Sequence, residues 1–198
     1  MTHAHRVVLK GARLVHVYLT LFGCCLILFF AATGFMLNHE DWFLPEDQEP
    51  YVSTAEGSVP TALLKPVDRL AVVELLRKDF GATGAVNDFD DKDEDQPIRV
   101  QFKAPGREAE ALIQRDSGKT EVTHRARGLL AVLTDLHKGK DAGAAWKLLI
   151  DAVCVLLVVV SATGLVLWQS LRGRGKYGLV FLAGGLSLAV GVYYCFVP

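Results

Sequence analysis

The chain has 198 residues, 51% of them apolar, with 21 Lys and Arg balanced by 22 Asp and Glu and a formal net charge of -1. The length suits one modest domain, but the apolar residues gather in long runs rather than in the short periodic pattern of a globular core. With no Ser/His/Asp set on loops, no phosphate-cradling glycine loop and no basic patch beyond short membrane-flanking loops, hydrolysis and nucleotide chemistry have little support, and nucleic acid is not an expected partner.

Residues 1–13 form an N-terminal tail with Arg6, Lys10 and Arg13, and with His3 and His5 in what reads as a loose segment. A first transmembrane helix is expected at 14–38, where the run from Leu14 to Leu37 has the roughly 20 residues that cross a hydrocarbon core. That run is longer than the ~7–15 residues of a signal-peptide core and no clean cleavage site follows, so it reads as a retained anchor. Trp42 and Phe43 then fit an interfacial aromatic belt.

Residues 39–128 form an inserted soluble domain. Leu44 to Val59 is proline-punctuated and acidic and reads as an irregular connection. Pro66 suits a first helical turn, and Leu70, Val73, Leu76 and Phe80 continue at helical spacing until Gly81 and Gly84. Four short, partly alternating runs follow: Ala85 to Phe89, Ile98 to Lys103, Ala109 to Gln114 and Thr120 to His124. Their turn-rich separators mark antiparallel hairpins. The turn from Asp88 to Asp95 holds six carboxylates but lacks the glycine and terminal Glu of a calcium loop, so it reads as a solvated hairpin tip, with a ferric or calcium docking site as the alternative.

Residues 129–145 read as an amphipathic juxtamembrane segment with Leu129, Leu130, Leu133, Leu136 and His137 on one face, and Gly139 and Gly143 allow a bend. A second span is expected at 146–168, a short loop with Arg172, Arg174 and Lys176 at 169–176, and a third span at 177–197. Every acidic residue lies between Glu40 and Asp151. The positive tail and loop therefore belong to the cytoplasmic side and the acidic domain to the outside, a periplasm-like compartment. The fold class is membrane α-helical: three transmembrane helices with an inserted small α+β domain.

Cys24, Cys25, Cys154 and Cys195 all fall in apolar spans without a CxxC, so they read as small packing residues rather than a disulfide or thiolate metal site. The first two spans share a tail, Ala32-Thr33-Gly34 to Leu37 and Ala162-Thr163-Gly164 to Leu167. Small residues there permit close helix packing, and a glycine can also leave room for a flat cofactor.

Of the histidines, His16, His39 and His137 sit at membrane boundaries, where ionisable groups are costly and often functional. His124 reads as a surface residue at a strand end. His16 and His39 are separated by ~35 Å of helical rise and cannot share one metal within a chain. His39 and His137 both emerge at the outer end and can converge as a bis-imidazole haem site, or serve as interfacial hydrogen-bonding groups. The absence of CxxCH excludes a c-type haem.

Four elements in order, Arg13-Leu14-Val15-His16-Val17-Tyr18, Thr33-Gly34 with Leu37-Asn38-His39, Asp135-Leu136-His137-Lys138-Gly139 and Thr163-Gly164-Leu165-Val166-Leu167-Trp168, resemble the short, three-span branch of the PepSY-associated transmembrane (PepSY-TM-like) family across nearly the whole chain. The resemblance implies a PepSY-like inserted domain, a bacterial inner-membrane location and a role in iron acquisition, with haem b (iron protoporphyrin IX) used to reduce ferric iron or a ferric siderophore. It implies His39 and His137 as axial ligands and His16 as a weaker candidate. An unidentified electron donor and, because larger relatives have an additional helix and longer outer domains, a homodimer are implied as partners. Trp42, Trp146 and Phe35 are expected to bury the site, and Glu40, Asp41, Asp135 and Asp141 to fix imidazole tautomers or hold a cation. Two rival readings are a cofactor-free binding module for a peptide, protease or transporter, and a quinol-linked cytochrome b relay subunit.

Overall fold

A computed structural model describes residues 3–43, 50–170 and 175–198. The expected connection from Leu44 and the basic loop around Arg172 and Arg174 fall largely outside the described residues. The chain divides into two compact units, residues 1–27 with 151–198 and residues 28–150.

The first unit is made of helix. The first helix of the chain, α1 (His3–Asn38), contributes its N-terminal part, and α5 (Gly143–Gln169) and α6 (Gly175–Phe196) contribute most of the rest. Three helices, His3–Asn38, Gly143–Gln169 and Tyr177–Phe196, are long and apolar enough to cross a membrane, so the protein lies in a lipid bilayer. Helix α1 begins at His3, so the tail expected to be loose is helical, with no proline or glycine run to stop it. Gly23 lets α1 approach α5 closely: a Cβ there would lie 2.7 Å from Leu156 Cδ1. Gly178 on α6 takes the Trp168 indole in the same way, and the indole Nε1 has no hydrogen-bond partner among the described residues. The four cysteines are free and exposed on helix surfaces, so they face outward instead of packing inside.

In the second unit, after a short helical turn α2 (Glu40–Phe43), a five-stranded antiparallel sheet has the order β1-β5-β4-β3-β2. Its strands are β1 (Tyr51–Ser58), β2 (Ala85–Asp90), β3 (Ile98–Ala104), β4 (Arg107–Ile113) and β5 (Lys119–Ala126). Strands β2 to β5 are the expected hairpins. Strand β1 corrects the reading of an irregular connection up to Val59: it pairs with β5 from Tyr51↔Ala126 to Ser58↔Lys119. As an edge strand with exposed side chains it lacks the apolar alternation that marks a half-buried strand.

Helix α3 (Arg69–Asp79) covers one sheet face. It starts later than Pro66 suggests because Asp68 caps it, its carboxylate accepting the Ala71 N–H at 3.0 Å; Pro66 instead lies in the loop before the cap. Val72 and Leu76 meet Ile98, Val100, Phe102, Ala111, Ile113 and Val122 in a core closed to solvent. The opposite face carries the alternate residues, with Arg99 and Glu110 paired at 2.6 Å. His124 Nε2–H donates to Phe80 O at 3.0 Å, so this ring clips the end of α3 to β5. The acidic turn is braced: Arg69 holds Asp91, and Arg115 donates to the carbonyls of Asp91, Asp93 and Gln96.

Helix α4 (Gly128–Lys138) ends at Gly139, whose φ of +66° suits glycine. Its buried residues are Ala131 and Asp135, whereas Leu129 is exposed. The inward face is thus shifted from the leucine stripe, because α4 docks on the sheet through Asp135.

Candidate functional site

The shared Ala-Thr-Gly segments receive a histidine each. In the second unit, His137 at the end of α4 lies against α1, its Nδ1 2.8 Å from Thr33 Oγ1. The Thr33 hydroxyl donates back to Phe29 O at 2.7 Å, so its oxygen accepts from the ring and the proton belongs on Nδ1. Thr33 is buried, and Gly34 leaves the space the ring fills: a Cβ there would lie 3.1 Å from His137 Cε1. Phe30 tilts against the imidazole at 5.5 Å. The glycine therefore leaves the space that the His137 ring occupies.

The first unit holds the same arrangement in different residues. His16 of α1 directs Nδ1 at Val160 O, 3.0 Å away, and at Thr163 Oγ1, 3.1 Å away. A carbonyl only accepts, so Nδ1 is the protonated nitrogen here as well. Thr163 donates to Val159 O at 2.8 Å, and Gly164 faces the ring, with a Cβ there 3.3 Å from His16 Cε1. In both sites Nε2 has no hydrogen-bond partner among the described residues.

His39 is held differently. Its ring stacks on Trp42 at 4.0 Å and 17° and lies 4.6 Å from Phe35. Phe35 is about 200° around α1 from Thr33, so His39 and His137 belong to different sides of the last turns. The elements carrying them do lie together, since Lys138 Nζ approaches Glu40 Oε1 to 3.9 Å. Among the described residues no hydrogen bond or ring contact joins the two imidazoles.

The aromatic neighbours divide likewise: Phe35 and Trp42 serve His39, while Trp146 Nε1–H donates to Leu136 O at 2.8 Å beside His137. Among the described residues no acidic group is hydrogen-bonded to the His137 ring. Asp135 is buried and turned to Arg127 and Gly106, and Glu40 faces Lys138. Threonine hydroxyls take that role, and the signal available in the sequence was the repeated Ala-Thr-Gly.

These features define an integral membrane protein with paired histidine sites in its helices and an α+β insert between the first two spans. A family profile described as Putative PepSY_TM-like matches residues 9–198, and the chain belongs to that family. No curated protein matches, and no solved structure matches.

Proposed function

We propose that the protein is a haem b electron-transfer protein of the bacterial inner membrane that delivers electrons to ferric iron or a ferric chelate at the periplasmic face. The observation that carries this reading is the state of the His137 and His16 imidazoles. Each is anchored through Nδ1–H and leaves Nε2 without a partner among the described residues, which is the arrangement a haem ligand takes when an outer hydrogen bond fixes its orientation.

The donor set fits haem b, since imidazole nitrogens amid apolar and aromatic side chains suit a porphyrin iron. His137 and His39 would hold the haem through their imidazole nitrogens, with His16 as a further candidate. Because His39 and His137 lie on different sides of α1, the pair is completed by a second copy of the chain, a homodimer. Bound haem would supply one-electron chemistry. The protein's own residues hold the imidazoles, set Phe30 against the His137 ring and Phe35 and Trp42 against that of His39, and present acidic side chains on the outer domain towards a cationic iron species. The flanking Arg and Lys residues support a cytoplasmic N-terminus and a periplasmic insert. The electron donor would approach from the membrane or the cytoplasm.

The test is the reduced-minus-oxidised visible spectrum of the detergent-purified protein, with haem quantified per chain, for wild type, His16→Ala, His39→Ala and His137→Ala. A low-spin b-type spectrum that collapses in the His39 and His137 variants and survives in His16→Ala is expected, followed by ferric reduction on adding an electron donor. Dependence on His16 instead moves the ligand assignment to that site. A colourless, folded wild type from haem-replete cells overturns the reading.

A further inference from the structure

We propose that Asp135 is a positioning residue that latches the Ala104–Arg107 turn of the inserted domain to the helix carrying His137, so that the state of the turn is felt at the imidazole. The grip involves both sides of one glycine. Gly106 N–H donates to Asp135 Oδ2 at 2.8 Å, and the Gly106 carbonyl accepts the Arg127 N–H at 2.9 Å. Arg127 Nη2 reaches the same Oδ2 at 2.7 Å, so the buried carboxylate binds the turn and a cation at once. Gly106 has φ +66°, and a Cβ there would lie 2.5 Å from Val132 Cγ2 and 2.9 Å from Val132 N. The turn thus rests directly on α4 with no side chain between.

From Asp135 to His137 the path is two residues near the end of one helix, about 3 Å of rise. That helix end has little freedom. Lys140 N–H donates to Asp135 O at 2.8 Å, Trp146 Nε1–H donates to Leu136 O, and His137 meets Thr33. A polar chain therefore runs from the β3–β4 turn through Asp135 and α4 to the Nδ1–H of His137. Helix α4 also buries Ala131, but apolar contact alone permits sliding, whereas a charge-assisted hydrogen bond to a backbone N–H fixes register. Anything that displaces the β3–β4 turn, such as a substrate or partner meeting the outer domain, shifts the ring that presents Nε2.

The functional value of this latch rests on His137 serving as a haem ligand, so the test is read on the full chain purified without haem. Histidine 15N NMR in detergent follows the Nδ1–H signals of His137 and His16, assigned with the single alanine variants. In Asp135→Asn, which keeps a side-chain oxygen but loses the charge, the protected His137 Nδ1–H signal is expected to be lost while that of His16 stays at its wild-type position. Arg127→Gln, at a half-exposed side chain, guards against a misfolded Asp135 variant and is expected to broaden the His137 signal alone. Wild-type His137 signals in either variant, with sheet circular dichroism intact, would overturn the latch. Equal loss at His16 and His137 would also overturn it, since that marks general loosening. A responding His137 in a protein that never binds haem leaves the latch standing and removes only the haem reading.

Discussion

The two histidine sites use one chemical device with different amounts of support. His16 shares its Nδ1–H between a carbonyl and a hydroxyl, both on α5, and its surroundings are spanning helix alone. His137 has a single acceptor among the described residues, the Thr33 hydroxyl, and compensates through a helix tied at Asp135 and Leu136 to its neighbours. The difference teaches where each ring's orientation comes from. At His16 it is written into the hydrogen bonds of the ring, and at His137 it depends on the placement of α4. Only the second is open to influence from the inserted domain.

The largest effect should come from filling the glycine spaces. Gly34→Leu pushes into the His137 ring and Gly164→Leu into that of His16, with overpacking costs of about 1–3 kcal/mol each. Under the haem reading Gly34→Leu abolishes the b-type spectrum, and Gly164→Leu leaves it. Loss of the spectrum in both variants would show that the two sites serve one haem population. The next effect separates the acceptors. Thr33→Val strips the only Nδ1 partner that His137 has among the described residues and leaves a partly buried N–H unsatisfied, at about 1–3 kcal/mol, whereas Thr163→Val leaves Val160 O for His16 and costs less than ~1 kcal/mol. Thermal melts and the histidine 15N tautomer signals check this; equal losses would mean that the Val160 carbonyl is not an effective acceptor. Gly23→Ala is milder still, because its Cβ meets the flexible end of Leu156 instead of a fixed ring. It should shift the melting temperature only slightly and leave both imidazoles as they are.

Much of this architecture was legible in the sequence because it follows from apolar run length and charge placement. The three spans, the inserted α+β domain, the four hairpin strands and the glycine bend at Gly139 are local signals. Strand β1 was not legible, since its pairing with β5 is non-local and an exposed edge needs no apolar alternation. The Asp68 cap is masked in the sequence by Pro66, two residues earlier, which gives a competing start signal. The site was half legible. Membrane-boundary histidines stand out by their cost, but partner choice depends on which side of α1 faces α4, and helical period alone does not say which side is covered. The repeated Ala-Thr-Gly pointed to the right turns of helix, while its chemistry, threonine orienting histidine, required the helices to be set side by side.

A last and smaller contrast sets the inserted domain against the histidine sites, through pH. Arg69 donates to Asp91 at 2.5 and 3.0 Å and holds that carboxyl below the ordinary range, first by hydrogen bonding and then by charge. A depressed carboxyl pKa contributes stability that is present above the unfolded value near ~3.9 and is lost as pH falls through the folded value. Asp91 also raises Arg69, but that contribution is present everywhere below the ordinary arginine range and changes only in strong alkali. Acid is therefore the informative direction. Arg69 is exposed, so solvent and salt screen the pair and the effect is small. Melts of the full chain between pH 6 and pH 3, followed by sheet circular dichroism, should show wild type exceeding Asp91→Asn at the upper end and the two converging at the lower. Parallel curves would mean that the carbonyl contacts of Arg115 hold the acidic turn without the Asp91 charge. That outcome would place the turn's order in its backbone, where pH has no grip.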